Sequence, residues 1–233
     1  MPILPLHDSN PLRIIPFQAV TVGLIAACAL AFFWQLSFAD WREAPAVVGL
    51  ALYPATLFGL AELPPAYVTV SAELTLVTST FLHGGWMHLI GNMLYLWVFG
   101  DNVEDSMGHL RFLVFYLLCG IAAGLAHAAV QPASEVPTIG ASGAVSGVLG
   151  AYLILHPKVR VLVLVLKRIP IRLPAYFVLG GWIALQVFNA LTIDDSSAGG
   201  VAWWAHIGGF VAGMVLVVPF RYKHVPLFDG MRR

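Results

Sequence analysis

Residues 136–157 read VPTIGASGAVSGVLGAYLILHP and contain no Asp, Glu, Lys or Arg. A helix that crosses a bilayer needs about 20 mostly apolar residues, and this run is long enough. Further uncharged runs of sufficient length occupy 14–39, 74–100, 112–134, 173–193 and 196–220. Together these runs predict an all-α, polytopic membrane protein that spans the bilayer with a bundle of six transmembrane helices.

The composition agrees with a protein surrounded by lipid. Apolar residues make up 59% of the chain and charged residues 10%, whereas a soluble domain carries roughly a quarter charged residues. The formal net charge is zero, so no nucleic-acid partner is expected and the lipid bilayer is the expected surrounding. Cys28 and Cys119 both lie inside predicted spans, where we expect buried apolar residues rather than a disulfide.

A shorter uncharged run, 44–61, is predicted to be part of a loop rather than a seventh span. It contains Pro45 and Pro54, and Pro64 and Pro65 follow it. The first run is too long for a signal peptide and is expected to be retained. We predict a single domain over 1–233, with a long interfacial outer loop at 40–80. Its spans are expected at roughly 15–38, 86–103, 111–130, 140–156, 173–193 and 201–220.

Basic residues are distributed unequally between the two sets of loops that six spans create. One set contains Arg42 alone. The other contains Arg13, Arg111, Lys158, Arg160, Lys167, Arg168, Arg172, Arg221, Lys223, Arg232 and Arg233. Basic loops mark the cytoplasmic side, so both termini are expected there and the 40–80, 131–139 and 194–200 loops outside. The short apolar segment 161–166 cannot span and is expected at the cytoplasmic interface.

A serine flanked by small residues opens the fourth predicted span, in the tetrapeptide GASG at 140–143. Small neighbours leave the Ser142 hydroxyl free of steric cover and allow another backbone to approach closely. The alternative is helix packing, because small residues three or four positions apart are common where membrane helices touch. Gly143, Gly147 and Gly150 fit that alternative, so the tetrapeptide alone leaves both interpretations open.

A histidine opens the sixth predicted span, in the sequence AHIGGFVAG at 205–213. On its own, His206 is better explained as a core or interface residue than as part of a functional site. Gly209 and Gly213, just beyond it, form a G-x-x-x-G face that would let span six press against a neighbour. If that neighbour is the glycine face of span four, His206 approaches Ser142.

A third polar cluster lies in HGGWMHLIGN at 83–92. His88 and Asn92 are four residues apart, so they share one face of a helix. Both side chains can donate a hydrogen bond and could stabilise an oxyanion. A metal site built from His83, His88 and His206 is the alternative, but the sequence has no H-E-x-x-H pattern or nearby carboxylate to support it.

The predicted topology puts His88, Asn92, Ser142 and His206 near the outer start of their spans, at a similar depth. This agreement favours a functional site over separate packing roles. A channel or transporter would predict inverted repeats or ionisable residues near the midplane, and the sequence displays neither. A membrane scaffold held together by glycine packing would not explain the common depth.

Three blocks resemble the rhomboid family of intramembrane proteases, and they occur in the family's order. The stretch 78–108, TSTFLHGGWMHLIGNMLYLWVFGDNVEDSMG, resembles the second-span motif. GASGAVSGVLGA at 140–151 resembles the nucleophile motif, and AHIGGFVAG resembles the histidine motif. The resemblance covers residues 74–219, which is most of the chain after the first span.

The resemblance implies a rhomboid-like bundle and an intramembrane serine endopeptidase that cleaves transmembrane segments of protein substrates. Ser142 would be the nucleophile and His206 its general base, without an acidic third member. His88, Asn92 and the Ser142 backbone N–H would form the oxyanion hole. Supporting positions carried over from the motifs are Gly140, Gly143, His83, Gly209, Gly213, Glu104 and Gly108.

Two positions depart from the family's pattern: Leu74-Thr75 stand where many members have Trp-Arg, and Ser146 stands where many have an aromatic residue. The resemblance implies no metal or organic cofactor, a cavity open to the outside under the 194–200 loop, and substrate entry near span five. We expect a bacterial cytoplasmic membrane protein. An inactive relative that binds membrane clients is the alternative, and the oligomeric state is open.

Overall fold

The computed structural model of the protein describes residues 3–165, 169–193 and 201–229, most of which are helical. The predicted capping loop at 194–200 lies outside the described residues, as do Lys167, Arg168, Arg232 and Arg233 of the charge pattern. The helical bundle confirms the predicted fold class. Its long helices are α1 (Ala19–Leu36), α2 (Trp86–Met107), α3 (His109–Val130), α4 (Ser142–Leu155), α5 (Ala175–Thr192) and α6 (Trp203–Phe220).

The long helices differ in how well they suit a membrane span. Among the described residues, α1, α3, α5 and α6 are long and apolar enough to cross a bilayer. Helix α4 is apolar but has 14 residues, a length of about 21 Å against a hydrocarbon core of about 30 Å. Helix α2 has 22 residues but carries His88, Asn92 and Asp101 along its length. The count of six spans therefore stays a prediction.

The hydrophobic core lies where α1, α2, α3 and α4 meet. Helix α4 is buried along almost its whole length, so it forms the centre of the bundle. Cys28 and Cys119 are free thiols buried in this core, as predicted. The aromatic side chains that are fully buried here are Phe32, Phe99, Phe112, Phe115, Tyr116 and Tyr152.

Glycines bring the backbones of α4 and α6 into direct contact. A Cβ added to Gly209 would collide with the carbonyl oxygen of Gly143, and one added to Gly213 with that of Gly147. Gly147 also packs against Cys119 of α3. The contact predicted from the glycine spacing is thus present, and it sets α4 and α6 closer than side chains would permit.

Residues 37–85 join α1 to α2 through short helical turns. The longest helix within 44–61, a stretch described in full, has four residues and is too short to span. This loop contacts the segment that leads into α4: Leu52 and Thr138 exchange backbone hydrogen bonds of 3.1 and 2.8 Å. Its turns are Pro45–Val48, Pro54–Leu57, Pro65–Tyr67, Thr75–Thr78 and Ser79–Phe81.

A three-stranded antiparallel sheet, which the sequence pattern does not predict, lies at the end of the bundle where α4 finishes. Its order is β1 (Ile3–Asp8), β2 (Arg160–Val165) and β3 (Ile169–Pro174). Val161 and Val163 are fully buried, which gives β2 the two-residue period of a half-buried strand. The sheet joins the N-terminal strand to the hairpin that leads into α5.

Two carboxylates at the end of α2 hold the segment that precedes and begins α1. The fully buried Glu104 accepts the backbone N–H groups of Val20 and Thr21 at 2.9 and 2.8 Å, and the Thr21 hydroxyl at 2.7 Å. The first amides of a helix have no partner within it, so Glu104 satisfies them from a neighbouring helix. Asp105 accepts the N–H groups of residues 13–15 at 2.7–3.0 Å.

We expect Gly213→Ala to lower thermal stability, because the added methyl group would overlap with the Gly147 backbone and push α6 away from α4. Overpacking of this kind costs about 1–3 kcal/mol. Gly180→Ala is the matched control, since Gly180 also lies in a helix but has open space around its Cα. Apparent melting temperatures in detergent test this, and equal values for the two variants would contradict the packing.

We also expect Glu104→Ala to destabilise the fold, because it removes the acceptor of the buried backbone amide and hydroxyl of Thr21 and of the partly buried amide of Val20. The loss is on the order of 3 kcal/mol, since each orphaned buried donor costs about 1–3 kcal/mol. The exposed Glu73 provides the control variant Glu73→Ala. Unfolding by heat or denaturant would measure both, and a Glu104→Ala protein as stable as the control would refute the assigned role.

Candidate active site

Ser142 is the first residue of α4 and is partly exposed. The backbone turns into the helix at Gly140, whose φ of 124° lies in a region that residues other than glycine rarely adopt. The Gly140 N–H donates to the Ser79 carbonyl at 2.9 Å, so the 37–85 loop fixes this turn. The turn places the Ser142 hydroxyl at the edge of the buried helix, where another group can reach it.

His206 lies in the first turn of α6 and faces Ser142. Its Nε2 atom is 2.9 Å from the Ser142 Oγ atom, although the two residues are 64 positions apart in sequence. The imidazole is buried, with 8% of the residue exposed. The Ser142 hydroxyl can donate to Nε2 when the imidazole carries its proton on Nδ1. The structure thus brings together the two residues that the motifs singled out.

The other ring nitrogen of His206 contacts Gln186, a residue outside the three sequence blocks that predict the site. Nδ1 is 2.7 Å from the Oε1 atom of Gln186, which is buried in α5. Trp182 and Trp203 place their rings beside the imidazole, with centroid distances of 5.8 and 6.1 Å. A signal was available, because Gln186 is a polar residue inside the uncharged run 173–193, where such groups need a partner.

His88 and Asn92 lie one turn apart on α2, beside Gly140. The Gly84 N–H donates to His88 Nδ1 at 3.2 Å, which leaves Nε2 as the donor of this ring. A Cβ built on Gly140 would lie 2.6 Å from His88 Nε2 and 3.7 Å from Asn92 Nδ2. Among the described residues, the buried Nδ2 atom has no hydrogen-bond partner. The His88 and Asn92 side-chain donors therefore lie beside Gly140, two residues before Ser142.

His83 is fully buried and packs against His88. Its Nδ1 atom lies 3.1 Å from the Phe81 carbonyl, and its ring contacts that of His88 edge to face, with centroids 5.2 Å apart. The Gln35 side chain accepts the His83 N–H at 2.9 Å and donates to its carbonyl at 3.2 Å. His83 thus lies behind His88 and fixes the start of α2 to the end of α1.

Ser146, which replaces an aromatic residue in the family's pattern, turns its side chain back into its own helix. Its hydroxyl donates to the Ser142 carbonyl at 2.6 Å and leaves the His206 ring to other neighbours. Both ring nitrogens of His206 are occupied by uncharged partners, Ser142 and Gln186. The arrangement would therefore let a neutral imidazole accept a proton from the Ser142 hydroxyl, with hydrogen-bond donors of α2 beside Gly140.

Comparisons with known proteins agree with this geometry. A model of the Rhomboid domain matches residues 71–223. Rhomboid-like protein 11, chloroplastic, of Arabidopsis thaliana is 31% identical over 65% of this chain and 54% of its own length. Rhomboid protein 1, mitochondrial, of Saccharomyces cerevisiae is 29% identical over 63% of this chain and 41% of its own length. Rhomboid protease GluP of Bacillus subtilis is 36% identical over 62% of this chain and 26% of its own length. The chain thus spans about half or less of these relatives.

Proposed function

Because the chain belongs to the rhomboid family of intramembrane proteases, we propose that it is a serine endopeptidase that cleaves transmembrane segments of protein substrates. The observation that carries this proposal is the 2.9 Å contact between Ser142 Oγ and His206 Nε2. A serine hydroxyl is a weak nucleophile until an adjacent base accepts its proton. Ser142 is accordingly assigned as the nucleophile and His206 as the general base.

In the proposed reaction, Ser142 Oγ attacks the carbonyl carbon of the scissile peptide bond while His206 Nε2 takes the hydroxyl proton. The tetrahedral intermediate collapses when the imidazolium gives this proton to the leaving amine, which leaves an acyl ester on Ser142. Water then attacks the ester, again with His206 as base, and releases a carboxylic acid and the free serine. One water and one peptide bond are consumed, and this chemistry needs no cofactor.

Three donors are proposed to stabilise the oxyanion: His88 Nε2–H, Asn92 Nδ2–H and the Ser142 backbone N–H. The Asn92 amide supports this assignment, because among the described residues its buried Nδ2 atom has no hydrogen-bond partner. A buried donor without a partner is costly, and a charge that forms during the reaction would supply one. The Ser142 N–H begins α4 and so has no acceptor within the helix.

The chain is an integral, multi-pass membrane protein, and we propose six spans with both termini in the cytoplasm. The unequal distribution of basic residues supports this orientation. Helix α4 has 14 residues and covers about 21 Å of a hydrocarbon core of about 30 Å. The irregular segment before Ser142 would complete this span, so Ser142 would lie below the outer surface. Irregular backbone at that depth is tolerated where it borders a wet cavity, which hydrolysis requires. A bacterial cytoplasmic membrane is the proposed location.

We expect wild-type protein in liposomes to cleave a model single-span substrate, and Ser142→Ala and His206→Ala to lose all measurable cleavage. Ser146→Ala is the matched control, because its hydroxyl lies one turn along the same helix and bonds to the backbone instead of to His206. It should retain cleavage. Cleavage by Ser142→Ala at the wild-type rate would rule out this function for the site. No cleavage by folded wild type with several substrates would favour an inactive, client-binding relative.

We expect Asn92→Ala to lower kcat about 10²–10³-fold, because one oxyanion donor is lost. Its KM should change little, since the donor is used in the transition state rather than in substrate binding. Initial rates over a range of substrate densities in liposomes separate the two parameters, and melting temperatures control for folding. A raised KM with an unchanged kcat would assign Asn92 to substrate binding instead.

A further inference from the structure

We propose that Gln186 is a positioning residue for His206, whose imidazole it holds in the tautomer that can accept the Ser142 proton. Gln186 lies in α5, whereas His206 lies in α6 and Ser142 in α4. This role rests on the proposed function, because it concerns the step in which His206 acts as the base.

The contacts of the Gln186 carboxamide define which way it points. Its nitrogen donates to the Trp182 carbonyl one turn earlier in α5, at 3.4 Å. A carbonyl oxygen can only accept, so this contact places Nε2 towards Trp182 and Oε1 towards the imidazole. Oε1 lies 2.7 Å from His206 Nδ1, in a residue that is 1% exposed. Facing an acceptor, Nδ1 has to carry the imidazole proton.

The position of that proton decides whether His206 can act as a base. A neutral imidazole has one N–H and one lone pair. With the proton on Nδ1, the lone pair is on Nε2, 2.9 Å from the Ser142 hydroxyl that has to lose its proton. With the proton on Nε2, the ring would donate to Ser142 and could not accept from it. Gln186 therefore selects the active tautomer.

A carboxamide suits this place better than a carboxylate. Helix α5 is one of the apolar helices long enough to cross a membrane, and a charge buried there would be costly. The carboxamide oxygen accepts the same hydrogen bond without that charge. The rings of Trp182 and Trp203 border the imidazole and restrict its plane. They offer no acceptor to Nδ1, so the choice of tautomer falls to Gln186.

Nitrogen NMR of the full-length protein, labelled with ¹⁵N-histidine in detergent micelles, tests the tautomer directly. The His206 signals are identified by their loss in His206→Ala. We expect Nδ1 to carry the proton in the wild type, and Gln186→Leu to shift the population towards the Nε2-protonated form. A wild-type ring protonated on Nε2, or an unchanged tautomer in Gln186→Leu, would overturn the proposal. This readout needs no substrate.

Kinetics in liposomes provide the second test. Gln186→Leu should lower kcat about 10- to 100-fold with little change in KM, because it removes part of the general-base contribution. Labelling of Ser142 by a fluorophosphonate probe should slow in parallel. Gln186→Glu should restore much of the rate, because a carboxylate oxygen accepts the same bond. As the pH falls, the Gln186→Glu variant should lose activity at a higher pH than the wild type does. The reason is that the carboxylate stabilises the protonated imidazolium, which cannot act as a base.

The outcomes separate positioning from packing and from the proposed function itself. Asn189→Leu controls for removing a carboxamide from α5 and should keep wild-type labelling. Equal losses of activity and melting temperature in Gln186→Leu and Gln186→Glu would make Gln186 a packing residue and refute the positioning role. Cleavage that persists in Ser142→Ala, together with the expected tautomer shift, would instead refute the proposed function and leave the contact with His206 standing.

Discussion

Direct backbone contact between α4 and α6 is the constraint on which the candidate site depends. Two successive glycine pairs, Gly143 with Gly209 and Gly147 with Gly213, bring the helices together where a Cβ would not fit. Ser142 directly precedes the first pair, so the separation of its hydroxyl from the His206 imidazole on α6 has little freedom. In lipid, helices gain no hydrophobic energy by associating, and close van der Waals contact has to hold them. The same packing therefore stabilises the bundle and sets the site.

Polar side chains fix α1 to α2 at both ends of α1. Through α2 they position His88 and Asn92 of the candidate site. Glu104, near the end of α2, binds the first amides of α1. Gln35, near the end of α1, binds both peptide groups of His83 just before α2 begins. Each uses a side chain to satisfy backbone groups that would otherwise be buried without partners. Because both ends are fixed, α2 can hold His88 and Asn92 beside Gly140.

Much of this arrangement could be predicted from sequence, because glycine faces and rare polar residues stand out inside apolar runs. The pairing of Ser142 with His206 follows from such a pattern. The strand 160–165 was missed because its residues are apolar on both faces, which hides the two-residue period, and because its partner β1 is distant in the chain. Gln186 was missed for another reason: whether a polar residue in α5 faces α6 depends on the rotation of that helix, which packing decides.

The candidate site would separate charge during the reaction although the described partners of the His206 ring nitrogens, Ser142 and Gln186, are both uncharged. In the proposed mechanism, the oxyanion would face three N–H donors and the positive end of the α4 dipole. The imidazolium would face the Gln186 carbonyl oxygen. A carboxylate in its place would stabilise the imidazolium more, but it would also bury a charge in an apolar helix before any substrate bound. A neutral acceptor avoids that cost, so in the proposed mechanism most of the transition-state stabilisation would come from the donors around Gly140 and Ser142.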